Sequence, residues 1–287
     1  MPNLKEIRNR IASVSSTMQI TSAMKMVSAA KLKKAQDAIT AMRPYSDKLT
    51  ELLQNLSANL DADTASNYAD VRKVDKVLIV SISSNRGLCG AFNSNIVKQS
   101  VSLVQGEYGN KQVDFVTIGK KADDLLSKRH TVVSNHNKVY DNLTFEEVAP
   151  IAEDLMAHFT EGRYDRILLV YNRFKNAATQ IVITEQFLPI QAEVESEQQG
   201  SADYIYEPSE AEIVEQLIPK SLKTQLFKAI RDSYAGEHGA RMTAMHKATD
   251  NAGDLKDQLT LTYNKARQAA ITNEILEIVG GAEALNN

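Results

Sequence analysis

The sequence predicts an α/β fold dominated by helix: a long antiparallel coiled coil of N- and C-terminal helices, with a Rossmann-like α/β domain inserted between them. Three observations lead there. Apolar residues step by three and four from Leu4 to Leu60. Strand and helix signals alternate through most of residues 75–188. A second run of helical spacing then carries the chain from Ser209 towards its C-terminus. Glycine, at 12 of 287 residues, is below the usual share of about 7%, which favours long helices over many turns.

The first helix is read from its seam. Leu4, Ile7, Ile11, Val14 and Met18 continue in register to Leu32, Ala35, Ile39, Met42, Leu49, Leu53, Leu56 and Leu60, and only Thr21, Lys25, Ser28 and Ser46 are polar or charged. Such a helix would be about 85 Å long at about 1.5 Å per residue, too long for an ordinary globular helix. Pro44 removes one backbone hydrogen bond, but the seam resumes at Leu49, so a bend is expected there and not an end. Beside the polar gap stand Ile20, Met24, Met26 and Val27 on other faces. A helix apolar on several sides is surrounded, either by flanking domains of its own chain or by a ring-shaped partner.

Residues 61–74 are polar and aperiodic, a linker. The period then changes. Strands are expected at Val77–Ile82, Val113–Ile118, Thr131–Val133, Arg166–Tyr171 and Thr179–Leu188, the last two joined by a turn over Asn172–Ala177. Helices are expected at Asn93–Gln105 and Lys120–Lys128, and after Thr144-Phe-Glu-Glu, which reads as a capping box. Residues 191–201 form an acidic, Gln-rich loop. Ser209 caps a helix that Pro219 interrupts, and a longer helix follows. Its stripe passes through Leu222, Leu226, Ile230, Met245, Ala248, Ala252, Leu255, Leu259, Ala266 and Ala270. Gly236, Gly239 and Gly253 weaken it by up to ~1 kcal/mol each, so packing must compensate. The segments are 1–60, 75–207 and 209–287, the last pairing with the first.

Net charge is −3 and carries no message, but its distribution does. Residues 1–48 hold nine Lys or Arg against three acids; residues 176–219 hold nine acids and no cation. Solvated faces and charged partner surfaces both account for this. Cys89 is the only cysteine, which excludes an intrachain disulfide and fits a reducing compartment. The N-terminus does not read as a signal peptide. No apolar run approaches the ~20 residues of a membrane span, so membrane association is expected to go through a partner.

Sites for chemistry are weak. Ser83-Ser-Asn-Arg-Gly-Leu-Cys-Gly90 lies between a strand and a helix, yet has only two glycines and no following Lys-Ser/Thr, so a structural turn is the better reading than a phosphate loop. The five histidines have no HExxH or i, i+4 spacing, and no metal site is expected. Lys31, Lys33 and Lys34 lack the aromatic interleaving of a nucleic-acid surface. A nucleotide-binding α/β enzyme whose helices dimerise it is the alternative to a shaft without an active site.

Several strings are recognisable: Ile7-Arg-Asn-Arg-Ile-Ala-Ser-Val, Ile20-Thr-Ser-Ala-Met-Lys-Met-Val, Arg43-Pro-Tyr, Arg86-Gly-Leu-Cys-Gly, Ala240-Arg-Met-Thr-Ala-Met, Ala248-Thr-Asp-Asn-Ala and Tyr263-Asn-Lys-Ala-Arg-Gln-Ala. They close with Ile271-Thr-x-Glu274-x-x-Glu277-x-x-x-Gly281-Ala282. In these the chain resembles the gamma-subunit family of F-type ATP synthases over nearly its whole length, residues 120–200 matching only in pattern. The resemblance implies a rotor shaft without cofactor or catalytic residue of its own. Its coiled coil would enter a ring of alpha and beta subunits; its α/β domain would sit with epsilon on the c-ring. Proton or sodium flow would turn the shaft and drive the beta sites through their states. The setting would be the cytoplasmic face of a bacterial inner membrane. By family motif, Met24 and Lys25 would face a beta subunit. Arg241, Arg267, Gln268, Thr272 and Glu274 would contact the ring, and Tyr204, Tyr206 and Glu207 would lie near the foot and c-ring.

Overall fold

The computed structural model describes residues 3–59, 68–70, 72–190 and 210–285. Helix α1 (Leu4–Asn59) is unbroken with Pro44 inside it. Then come β1 (Lys76–Ile82), α2 (Phe92–Gln105), β2 (Gln112–Ile118), α3 (Lys120–Leu126), β3 (Val132–Asn135), α4 (Phe145–Thr160), β4 (Arg166–Phe174), β5 (Gln180–Leu188) and α5 (Glu210–Leu285). Pro219 does not interrupt α5, contrary to the sequence reading. It removes one N–H, and the buried Ile218 and Leu222 on either side hold the helix through it.

The chain divides into two compact units, Met1–Ser28 with Met242–Asn287, and Ala29–Arg241. The parts of α1 after Ser28 and of α5 before Met242 thus group with the sheet, where the sequence reading gave each helix a segment to itself.

In the smaller unit the two helices run antiparallel. Arg8 Nη2 donates to Tyr263 Oη at 2.7 Å, and Thr249 Oγ1 lies 2.8 Å from Thr21 Oγ1. Moving along α1 towards its C-terminus moves the partner towards the start of α5, one residue for one. Ile7 and Thr21 are buried and Ile11, Val14 and Met18 half-buried, so the seam read from sequence is the face turned inward. On α5 the less exposed positions include Met245, Ala248, Thr249, Ala252, Lys256, Leu259, Tyr263, Ala266 and Ala270. Leu255, placed on the stripe by sequence, is 46% exposed; the three-four stepping passes through Lys256, whose aliphatic stem can lie along an apolar seam.

In the larger unit a five-stranded sheet has the order β3-β2-β1-β4-β5. β1 pairs parallel with β2 and β4, β2 parallel with β3, and β4 antiparallel with β5. β1 is buried from Val77 to Ile82, as a central strand covered on both faces must be. Its side chains alternate: Val77 and Ile79 join Ile96, Phe115, Ala122 and Leu126 under α2 and α3. Leu78, Val80 and Ile82 join Leu155, Phe159, Leu222, Leu226 and Ile230 under α4 and α5.

Two local expectations are corrected. Thr144 occupies the N-cap position of α4 with extended backbone, but its side chain caps nothing. Its own N–H donates to Asn142 O at 2.9 Å, so the reciprocal half of a capping box is taken. β4 continues past Tyr171 to Phe174, because Asn172 is buried and donates to Phe92 O at 3.2 Å. A 3-10 turn at Asn137–Tyr140 was not foreseen; it is held by tertiary packing, Tyr140 stacking on Tyr234 of α5 at 6.1 Å.

Candidate partner-binding surface

In an open parallel sheet, ligands bind at the carboxyl ends of the strands where the strand order reverses, here between β1 and β4. In this chain α5 crosses that place. A Cβ on Gly236 would stand 3.2 Å from Gln180 Cγ and 3.3 Å from Phe92 Cε2, and one on Gly239 would stand 3.0 Å from Ala177 O. Several N–H groups at the strand ends are taken by the chain's own oxygens. Those of Lys120, Lys121 and Ala122 go to Asn85 Oδ1, Ser84 O and Ser83 Oγ, and that of Phe92 to Cys89 O. Cys89 is buried, and burial pushes its thiol up, away from a nucleophile. Among the described residues no group of three or more His, Cys, Asp and Glu could hold a metal ion. No helix among the described residues is long and apolar enough to cross a membrane.

What the chain does offer is exposed helix. On α1, Ile20, Met26 and Val27 are 60%, 65% and 58% exposed, while Met24 and Lys25 are half-buried. The polar seam residues Thr21 and Ser28 are buried, and Thr21 meets Thr249. Two polar residues of the gap are thus turned into the seam, and Thr21 is hydrogen-bonded across it. The outward apolar patch lies on the opposite faces.

On α5 the antiparallel pairing sets a limit. Since Arg8 meets Tyr263, α1 starts at about the level of Arg267. Beyond Ala270 every residue to Ala282 is exposed, including Ile271, Ile275, Leu276, Ile278 and Val279 at 48–71%. Arg267, Gln268, Thr272 and Glu274 are exposed at the base of this tip, Thr272 donating to Gln268 O at 2.9 Å. Sequence reasoning followed the stripe to Ala270 and missed the apolar tip. Its signal was present: after Ala270 the large apolar residues move off the seam face onto another side of the helix.

Arg241, expected among the ring contacts, is placed otherwise. It is 7% exposed and directs its guanidinium inward. Nη1 donates to Glu237 Oε1 at 2.6 Å and faces His238 Nδ1 at 3.5 Å. Nη2 donates to Arg86 O and Gly87 O at 3.1 and 3.2 Å, and Nε to Gly87 O at 3.3 Å. All five N–H groups are directed at its own unit, leaving none for a partner. Burial raises the Glu237 carboxyl against the pull of Arg241, and burial first, then Arg241 and Lys31, lowers His238 to about 3. Tyr204, Tyr206 and Glu207 lie outside the described residues.

Two helix ends joined in one seam, a doubly covered sheet and an exposed apolar tip define a shaft-and-domain protein. A family model described as ATP synthase matches residues 3–285. The ATP synthase gamma chain of Flavobacterium johnsoniae is 70% identical over 287 residues, covering 100% of both chains. That of Christiangramia forsetii is 65% identical over 286 residues, again covering 100% of both. In fold, a rotor chain of the Euglena gracilis mitochondrial ATP synthase in rotational state 1 is similar, with a TM-score of 0.67 and 24% identity, over 93% of this chain and 98% of that one. A chain of the Euglena OSCP/F1/c-ring assembly in rotational state 3 has a TM-score of 0.70 and 22% identity, over 98% and 94%. The chain belongs to the ATP synthase gamma-chain family. It is a subunit of an enzyme complex, and that complex is membrane-associated.

Proposed function

We propose that this chain is the rotating central shaft of a proton- or sodium-translocating ATP synthase and makes or breaks no bond itself. It would lie on the cytoplasmic face of a bacterial inner membrane, reaching the membrane only through its partners. The observation that carries this reading is the tip of α5, with five large apolar residues exposed over a broad face and, among the described residues, no partner helix in its own unit. Such a helix needs a sleeve, and an alpha–beta ring supplies one. Arg267, Gln268, Thr272 and Glu274 would contact that ring at the base of the tip. Met24 and Lys25 would face a beta subunit beside the exposed Ile20, Met26 and Val27. Tyr204, Tyr206 and Glu207 would lie at the foot with epsilon and the c-ring.

The test is assembly together with calorimetry. The chain should co-purify with alpha, beta and epsilon and complete an ATPase that pumps ions, while the isolated chain takes up no ATP. Saturable ATP binding by the isolated chain, abolished by Gly87→Val, would reverse the reading.

A further inference from the structure

Within the larger unit, a cavity of about 570 Å³ lies where α1 and α5 pass the hairpin of β4 and β5. That is the size of a site for a small molecule. Ile39 and Met42 of α1, Phe174 and Ile181 of the hairpin, and Lys228 and Asp232 of α5 line it. Ile39 is buried, but Met42 and Phe174 are half-buried and Ile181 is 36% exposed, so apolar surface is left facing the cavity. Arg173 and Lys175 line it as well, and both are exposed. Arg173 pairs with Ile181 in the β4–β5 register, which sets a cation beside an apolar side chain on one face of the hairpin. Lys228 and Asp232 are engaged within the protein; among the described residues, Arg173 and Lys175 make no ion pair. The backbone that carries these two cations is fixed. Asn176 Oδ1 accepts from the N–H groups of Ala178 and Thr179 at 3.0 and 2.7 Å. On α5, Gly239 lies so close to the turn that a Cβ there would stand 3.0 Å from Ala177 O.

Two unpaired cations beside an apolar wall select a ligand with two parts. A bare anion would leave the wall in water, and an uncharged apolar molecule would give Arg173 and Lys175 nothing to bind. We propose that this cavity binds a single-chain amphiphile with a phosphate head. The chain lies against Ile39, Met42, Phe174 and Ile181, and Arg173 and Lys175 hold the head. A guanidinium meets two phosphate oxygens at once, and an ammonium adds a point charge on a flexible stem. Lys228 and Asp232 stand one helical turn apart with opposite charges, so the choice of head falls to the hairpin. A ligand placed there touches α1, α5 and the hairpin together and therefore stabilises the folded chain. The proposal is independent of the shaft reading, because every residue it uses belongs to the larger unit of this one chain.

The test titrates the full-length chain by calorimetry with octyl phosphate kept below its micelle concentration. Binding should saturate at one molecule per chain and raise the melting temperature. Hexyl phosphate should bind about tenfold more weakly, since each buried methylene is worth about threefold to fourfold. Inorganic phosphate and octanol should each bind weaker than octyl phosphate by about thirtyfold or more. Arg173→Gln with Lys175→Gln should weaken octyl phosphate about tenfold or more. That variant breaks no ion pair, so melting without ligand should hardly change. Ile181→Glu, which sets a like charge beside the head, should abolish binding. Lys120→Gln with Lys128→Gln removes the same charge from exposed positions elsewhere and should leave affinity within about twofold. Octyl phosphate binding that survives the Arg173 and Lys175 changes would overturn the proposal. So would inorganic phosphate or octanol binding as tightly as octyl phosphate, or equal weakening by the Lys120 and Lys128 changes. Failure of the shaft reading would appear in assembly and pumping and would leave these titrations unaltered.

Discussion

Single residues of α5 differ sharply in what they tolerate. Gly239 lets the helix approach Ala177, whose O and Cα would lie 3.0 and 3.2 Å from an added Cβ, both of them backbone atoms. Gly253 has nothing within 4 Å. Gly239→Ala should therefore cost about 1–3 kcal/mol through forced displacement, while Gly253→Ala should gain about 0.5–1 kcal/mol through helix propensity. Urea unfolding midpoints moving in the same direction for both would contradict this. His238 gives a second test. It is buried, with Arg241 and Lys31 adding repulsion to the cost of desolvation, and its pKa is about 3 against ~6.5 unfolded. The folded state binds fewer protons between those values, so its contribution is complete above about pH 6.5 and is lost as pH falls towards 3. Glu237, raised chiefly by burial, acts in the opposite sense in the carboxylate range. From pH 6.5 to 5 the histidine should cost about 2 kcal/mol of stability. His238→Gln should flatten that decline; a slope unchanged by the substitution would show that protons elsewhere dominate.

At the scale of elements, the paired contacts Arg8–Tyr263 and Thr21–Thr249 place Ile11 opposite Leu259. Ile11→Cys with Leu259→Cys, in a Cys89→Ser background, should oxidise to a link within one chain. Links formed only between chains would make the shaft a dimer. Much of this level was legible beforehand. The seam of α1 could be read because a 3.5-residue apolar period survives four polar interruptions, and Thr21, Ser28 and Ser46 are buried on it. The strands could be read because β1, β2 and β4 are apolar runs buried on both faces. Leu255 misled because hydropathy does not distinguish a seam leucine from an exposed one, whereas Lys256 holds its place by stem and register. The 3-10 turn at Asn137–Tyr140 and the inward Arg241 were not legible. Both depend on contacts distant in sequence, Tyr234 for one and the carbonyls of Arg86 and Gly87 for the other.

At the scale of the molecule, the surface that distinguishes this chain from an ordinary α/β domain is helix left bare. Met24→Lys would place a second charge beside Lys25 and the exposed Ile20, Met26 and Val27; pumping should fall while ATP hydrolysis persists. Undiminished pumping would remove Met24 from the bearing. Arg267→Ala with Gln268→Leu should weaken assembly or slow hydrolysis by the reconstituted complex. The melting of the isolated chain should hardly change, because both side chains are exposed and each contact gains weight only when desolvated by a partner. Normal turnover in that double variant would make the tip a plug and place torque transfer lower on the helices. The central claim is that this chain turns inside its complex. The direct measurement fixes the catalytic ring to a surface, attaches a visible rod to the α/β domain, and supplies ATP. Continuous rotation in one direction, halted when Ile20→Cys on the exposed face of α1 is cross-linked to a neighbouring beta subunit, is the predicted result; steady hydrolysis with a motionless rod would contradict it.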